Sequence, residues 1–369
     1  MALINLSDEQ KLIQNEVRKF AAAELEPISS EIDQVGAFPT EIVKRLSGLG
    51  LSSLIIPETY GGAALDTTSL CIAVEELSKV CASIGSILAT NNCLVAFPLI
   101  TYASEEIKNH YLQKLVQGEI GGFSAYLQID DPDRKIVCQE SEDTYVLSGK
   151  QDFVLNGEEA NFFVMQVSLS NTEALFILDS NRDMKRTRHD ILGMKSAGIV
   201  RLEFTNVTLK HDTCILAGER AQVGFQKIRD YANIGFSAVA LGIAQAACDA
   251  SIKYSKERKQ FGRAICEFPM VQDMLVEMKN KIDAVRFFVY DAAAQCDNGQ
   301  DYSSKASVAR LQSSDAAVFC GIKAIQIHGG YGYTKDYPVE CYLRDAKVLQ
   351  LLQQSPLDLK SKIAKELLR

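Results

Sequence analysis

The chain has 369 residues, a formal net charge of −8 and a pI near 5.3. That length buries a large core and accommodates two or three domains. The acidic balance, with its basic residues dispersed, excludes a general nucleic-acid or anionic-membrane surface.

Ser7-Asp8-Glu9-Gln10 is a capping box ahead of the amphipathic run Leu12, Ile13, Val17, Phe20, which predicts a first helix from about residue 8. Helical patterns follow over Pro39–Leu49 and Thr67–Leu88, separated by the turn at Pro57 to Gly62, and a further helix pair ends near Gly118. Residues 1–120 therefore read as an all-helical domain. From Gly121 the pattern changes to short β-branched or alternating runs, Tyr145–Leu147, Phe153–Leu155, Phe162–Val167, Ala174–Leu178 and Ile199–Phe204. Their separation by turn residues at about 8 to 12 positions predicts a small β-barrel or sandwich over 121–224. Residues 225–369 return to helix: Asn233–Ala250, a long helix striped by Val271, Met274, Leu275, Met278, Ile282, Val285, Phe288, Val289 and Ala292, then Ser303–Gln326 and a helix from Val339. The fold class expected is α+β, with helices, a β domain and a four-helix bundle in that order.

No run of about 18 apolar residues is apparent, so no membrane span is expected, and the N-terminus lacks the basic and apolar segments of a secretory signal. A cytoplasmic protein is the expectation. The ten cysteines stand singly and the four histidines lie far apart, so neither a disulfide framework nor a metal site is anticipated.

Two stretches stand out. Gln326–Gln354 joins a glycine turn (QIHGGYGY) to a Tyr337-Pro338 break and the helix YPVE…RDAK, and YSKERKQFG occupies Tyr254–Gly262. Both closely resemble signatures of the acyl-CoA dehydrogenase family, flavoproteins that oxidise acyl thioesters, and LIIPETYGGAALD resembles that family's N-terminal domain. The resemblance runs along essentially the whole chain. It implies FAD held between the β domain and the C-terminal bundle, with its adenosine end reaching into a neighbouring subunit. Arg258, Phe261, Gln326, Gly329 and Gly330 match the positions that hold the pyrophosphate and adenine of the neighbour's FAD; a guanidinium forks onto phosphate and glycines admit close backbone approach.

The flavin end departs from the family. The TEPxAGSD-like loop is replaced by GGFSAYLQIDDPDRK (Gly121–Lys135), Phe153 stands for the usual Trp, and Pro269 occupies a position where a FAD-binding Gln is common. The family's chemistry needs a carboxylate to remove the α-proton while a hydride leaves the β-carbon, and an amide cannot serve. The usual base position holds Gln353, the alternative one holds Ala232, and Asn233 beside it replaces an Arg. Asn91, Asn92 and Cys93 mark the substrate loop of the helical domain, and Asp230 is an acid one turn from Ala232.

Three readings follow. The first is a flavoenzyme of altered chemistry acting on acyl-CoA or on an acyl chain of an acyl carrier protein; DYxxxGxSxxALG and YLRDAKV resemble the branch that makes polyketide extender units, within secondary metabolism. The second is a non-catalytic subunit that completes the cofactor site of an active paralogue. The third is a flavin-free thioester binder or a redox-neutral catalyst. A homodimer, homotetramer or hetero-oligomer is expected because the family's cofactor site needs two subunits, and an electron-transfer flavoprotein is the expected acceptor if the chain is redox-active.

Overall fold

The computed structural model describes residues 5–124, 136–141, 144–169, 172–180, 184–352 and 354–368. The first layer is helical. Helix α1 (Asp8–Phe20) opens on the expected capping box: the Ser7 hydroxyl accepts from Gln10 N at 3.1 Å, and the Gln10 carboxamide oxygen accepts from Ser7 N at 3.0 Å. Helices α2 (Ser29–Val35) and α3 (Thr40–Gly48) follow. The continuous helix expected over Thr67–Leu88 is two helices, α4 (Thr67–Ser78) and α5 (Ala82–Ala89). Gly85 permits the break, because a Cβ there would collide with the Ser78 hydroxyl where α5 folds back on the end of α4. A π-helical segment, Thr90–Ala96, runs into α6 (Phe97–Tyr102), and α7 (Glu105–Val116) closes the layer.

The second layer is one sheet of strands β1 (Gly121–Ser124), β2 (Val137–Glu140), β3 (Thr144–Val154), β4 (Phe162–Leu169), β5 (Thr172–Asp179), β6 (Met184–Arg188), β7 (Val200–Lys210) and β8 (Cys214–Leu216). Their order is β6-β7-β3-β2-β4-β5-β8, with β1 parallel to β4. Of the two runs expected as separate strands, Tyr145–Leu147 and Phe153–Leu155, all but Leu155 belong to one strand, β3, interrupted by bulges between Leu147 and Gly149 and between Gln151 and Val154, and Leu155 bridges to Phe123. Alternation does the sorting. Phe162, Val164, Leu175 and Ile177 face the helical core, whereas Phe163, Met165, Phe176 and Leu178 form the sheet's own core.

The third layer contains α8 (Glu219–Glu257), a hairpin of β9 (Lys259–Gln260) and β10 (Arg263–Ala264), α9 (Pro269–Asp297), α10 (Ser303–His328), α11 (Val339–Leu349) and α12 (Pro356–Leu367). Helix α8 begins inside the segment that spacing alone assigned to the β domain. The stripe on α9 buries Met278, Ile282, Val285, Val289 and Ala292 as expected. Two segments, Ala82–Tyr102 and Glu219–Glu257, are in fact long and apolar enough to cross a membrane by length and composition, but 83% of each such window is buried inside the protein, as in core helices. The helical layers are joined by polar side chains. The buried Glu75 of α4 pairs with Arg286 of α9 and accepts from the Tyr290 hydroxyl at 2.8 Å. Burial alone would raise Glu75; Arg286 and Lys79 overcome it and hold the carboxylate below its usual range.

Candidate active site

The C-terminal ends of α8 and α10 frame an open cleft of about 520 Å³, lined by Tyr254, Arg258, Gln260, His328, Gly329 and Gly330 among others. Helix α8 stops at Arg258, whose N–H donates to Tyr254 O at 2.8 Å, and α10 stops at Gly329, whose φ of 60° ends the helix. A Cβ on Gly329 or Gly330 would meet nothing within 4 Å, whereas one on Gly332 would lie 2.5 Å from Ile325 O. Packing within the chain thus requires a glycine at 332 but leaves the first two facing open space. The Tyr254 ring stacks on His328 at 4.2 Å, and the Arg258 guanidinium lies 5.9 Å from the Tyr331 ring centroid. Gln326 is exposed one turn before the glycines.

Phe261 stands off the cleft at the hairpin tip. It adopts φ 50° beside Gly262 at φ 83°, and it is 92% exposed. A bulky residue in the left-handed region with its ring in water is costly on two counts, and such strain persists where a site uses it. Guanidinium, free backbone and an aromatic wall together suit a phosphorylated heterocycle.

On the sheet, the second bulge of β3 gives Phe153 a φ of 57° and leaves its ring 36% exposed and stacked on His189 at 4.7 Å. His189 Nε2 lies 3.1 Å from Asp152 Oδ1, which also accepts from Arg201 Nε at 2.5 Å. At the end of β1 the buried Ser124 hydroxyl has no hydrogen-bond partner among the described residues, an unmet polar atom of the kind a bound cofactor satisfies. Residues 125–135 of the expected flavin loop lie outside the described residues. Pro269 is the first residue of α9, a position where its missing N–H costs nothing. The residues that are described fit FAD: phosphate-binding groups at the cleft, an aromatic face and an unmet hydroxyl at the sheet.

Gln353 also lies outside the described residues, but both its neighbours are placed. Gln354 Oε1 accepts from Asn233 Nδ2 at 2.7 Å, and Asn233 is 2% exposed beside the fully buried Ala232. The structure therefore joins Asn233, next to one base position of the resemblance, to Gln354, which follows the other in sequence. Nearby, Tyr231 stacks on Phe97 with centroids 4.1 Å apart, and a Cβ on Gly235 would lie 2.5 Å from Cys93 Sγ. Side chains fill the space between α8 and the Thr90–Ala96 segment.

Asp230 is buried, but its carboxylate is already engaged. It pairs with Lys362 and accepts from Ser303 Oγ at 2.7 Å and Gln226 Nε2 at 2.8 Å, so it ties α8 to α10 and α12. Asn91 is likewise committed: its Oδ1 accepts from Gly121 N and Asn156 Nδ2, each at 3.3 Å, joining the helical layer to β1.

Several contacts gave no sequence signal. Arg310 of α10 is buried and donates to the carbonyls at the end of α11. On α11, Arg344 pairs with Asp33 at 2.7 Å and donates to Leu192 O at 3.0 Å, and Asp345 Oδ1 accepts from Met194 N at 2.6 Å. Burial pushes Asp345 up to about 6, against the pull of the Met194 N–H. The signal that could have found this pair was RDAK itself; its partners, more than a hundred positions away, carried none.

Residues 7–119 match the acyl-CoA dehydrogenase N-terminal domain and residues 226–353 match the acyl-CoA dehydrogenase C-terminal domain. The chain is 35% identical to a short-chain specific acyl-CoA dehydrogenase of Clostridium acetobutylicum over 361 residues, 95% of each chain. Among solved structures it is similar to butyryl-CoA dehydrogenase from Megasphaera elsdenii, with a TM-score of 0.95, 30% identity and coverage of 99% of this chain and 100% of that one. The prolyl acyl carrier protein oxidase AnaB is similar at a TM-score of 0.92 and 26% identity, covering 98% of this chain and 100% of that one.

Proposed function

The chain belongs to the acyl-CoA dehydrogenase family, and from that premise we propose that it is a FAD-dependent oxidoreductase of an acyl thioester that works without a carboxylate base at either family position. The observation that carries the proposal is the junction of α8 with the segment after α11, where Asn233 and Gln354 are hydrogen-bonded to each other. Carboxamides can donate to a thioester carbonyl oxygen and so orient it, but they do not take up a proton at neutral pH.

In this reading Arg258, Gly329 and Gly330 hold the pyrophosphate of a neighbouring subunit's FAD, with Phe261 and Gln326 against its adenine, and Phe153 with Ser124 bounds the flavin of the chain's own site. FAD supplies a two-electron, hydride-accepting or hydride-donating centre when bound. The chain's own residues orient the thioester and exclude water, since Tyr231, Phe97 and Cys93 close the space beside Ala232. Reactions that fit are oxidation at a carbon whose proton is already acidic, oxidation of a hydroxyl, or reduction of an unsaturated acyl group. A carrier-bound acyl group within secondary metabolism is the alternative to acyl-CoA, in keeping with the similarity to a prolyl acyl carrier protein oxidase. An electron-transfer flavoprotein is the natural redox partner, and the cytoplasm the proposed location.

A second reading is favoured by the asymmetry of the site. Residues that serve a neighbour's FAD are kept on the open cleft, while those that serve the chain's own flavin and base are changed. A subunit of a hetero-oligomer that completes a paralogue's site has this distribution; a flavin-free thioester binder would not need the cleft.

The deciding measurement is the absorbance spectrum of the protein purified alone, with FAD quantified after denaturation. Near-stoichiometric flavin supports the enzyme, and anaerobic bleaching by CoA-bound and carrier-bound thioesters then identifies the substrate. A colourless protein that takes up no added FAD refutes it.

A further inference from the structure

Tyr254, in the last turn of α8, is 6% exposed and joins the ends of two helices. Its carbonyl accepts from the N–H of Arg258 at 2.8 Å, its ring centroid lies 4.2 Å from that of the His328 imidazole at an interplanar angle of 22°, and its hydroxyl donates to His328 O at 3.4 Å. His328 is the last residue of α10, and the last carbonyls of a helix have no intrahelical donor. Tyr337 packs against both rings, each centroid 5.2 Å away.

Packing alone does not account for His328. Its Nδ1 lies 2.8 Å from Ala324 O and so carries the proton, which leaves Nε2 an acceptor, buried and without a partner among the described residues. Burial holds the imidazole below its usual range and keeps it neutral. A phenylalanine would stack on Tyr254 without stranding a buried polar atom. What the imidazole adds is direction: the bond to Ala324 O fixes the plane against which Tyr254 lies. The stack is thus a spacer of set width between residues 74 positions apart. On one side of it Arg258 leaves α8; on the other, Gly329 and Gly330 present open backbone to the same cleft. A guanidinium and a pair of backbone amides grip one diphosphate only when their separation matches it.

We propose that Tyr254, with His328 as the second half of the stack, is a positioning residue of the cleft: it sets the separation between the Arg258 guanidinium and the backbone of Gly329 and Gly330. The inference rests on the reading that the cleft takes the pyrophosphate of a neighbouring subunit's FAD. It accounts for a buried imidazole with an unmet nitrogen, and it puts the fit of the cofactor under the control of two rings that act through other groups.

The test is a double-mutant cycle on the full chain freed of flavin, with FAD affinity read by equilibrium dialysis. Tyr254→Leu and His328→Leu are each expected to weaken FAD binding about tenfold. Tyr254→Phe, which keeps the ring and gives up one long hydrogen bond, should recover most of that loss. In an Arg258→Ala background the cost of Tyr254→Leu should shrink to about threefold or less, because the group it positions is gone. A cost that stays tenfold there would overturn the proposal, since additive losses mark a direct contact or a generic packing defect. Unchanged affinity in Tyr254→Leu, or a Tyr254→Phe no better than Tyr254→Leu, would overturn it as well. Should Tyr254→Leu not fold, His328→Leu carries the same cycle from the other side of the stack. A wild type that takes up no FAD refutes the functional reading on its own. Amide hydrogen exchange then decides the positioning role: a rise of about tenfold at 258 and 329–333 in Tyr254→Leu, with α9 still protected, supports it, and unchanged exchange there overturns it.

Discussion

The cleft at the ends of α8 and α10, proposed to serve a neighbouring subunit's FAD, and the junction at Asn233, proposed to serve the chain's own site, are two halves of the chain's functional machinery built by opposite means. The cleft is made from helix ends, glycines and a strained hairpin tip, and it keeps its charge in Arg258. The junction pairs Asn233 of α8 with Gln354 after α11, beside the sequence positions 232 and 353 where the family places an acid and this chain has Ala and Gln. Binding and chemistry are therefore separable in this chain. The first depends on backbone shape that a few substitutions cannot easily remove, the second on single side chains that one substitution can replace.

Returning the acid should have the largest effect. Gln353→Glu is expected to raise the anaerobic rate of flavin reduction by butyryl-CoA about 10³-fold, within the usual range for a positioned general base; stopped-flow absorbance measures it. No gain would mean that more than the base has been lost at the junction. Next is Asp230→Ala, which leaves the partly buried Lys362 without its partner and should cost about 2 kcal/mol in urea unfolding. The flavin spectrum should not change, since Asp230 serves packing and not proton transfer. On the cleft side, Arg258→Ala should weaken FAD binding by about 2 kcal/mol through loss of a charge-assisted bond to phosphate. Equilibrium dialysis reads the affinity, and urea unfolding without FAD should be nearly unaltered because Arg258 is exposed.

The smallest expected effect concerns Asp345, outside both halves. Its folded value near 6 lies above the ordinary carboxylate value of 3.8, so the folded state binds the proton more tightly and this residue adds stability as pH falls through 6. Between pH 7 and pH 5 the gain should be about 1 kcal/mol. Asp345→Asn should abolish that increment, as measured by urea unfolding at the two pH values, while an amide oxygen remains to accept from Met194 N.

The same division explains what the sequence made legible. The capping box at Ser7, the stripe on α9, the alternation in β4 and β5 and the glycine turn at 329–332 are local patterns, each set by a period or a backbone requirement within a few residues. The break between α4 and α5 was not legible, because it depends on Gly85 meeting Ser78 after the chain has turned. Strands β1, β2, β6 and β8 are short, and the sheet's pairings supply what their own composition does not. The start of α8 at Glu219 follows from tertiary packing, whereas α12 carried a local signal that the sequence reading missed, the Ser355 cap with Pro356 and Asp358 behind it. At the site, Arg258 and the glycines were read from their motifs, and the loss of acids at 232 and 353 from the residues themselves. Arg310, His189 and Asp33 act through partners distant in sequence, and no single-chain pattern announces such contacts.

Helix α11 touches every layer: Arg344 reaches Asp33 in the first, Asp345 and Arg344 reach Met194 and Leu192 beside the sheet, and its last carbonyl is held by Arg310 in the third. A chain of three layers would ordinarily be free to melt in stages. Here an eleven-residue helix is a shared strut whose release leaves charged or backbone polar groups unpaired in all three at once, so the least stable layer cannot come away without taking the others' anchor with it. Cooperativity in this protein is thus lodged in a short surface-to-core element and not spread evenly through its large cores.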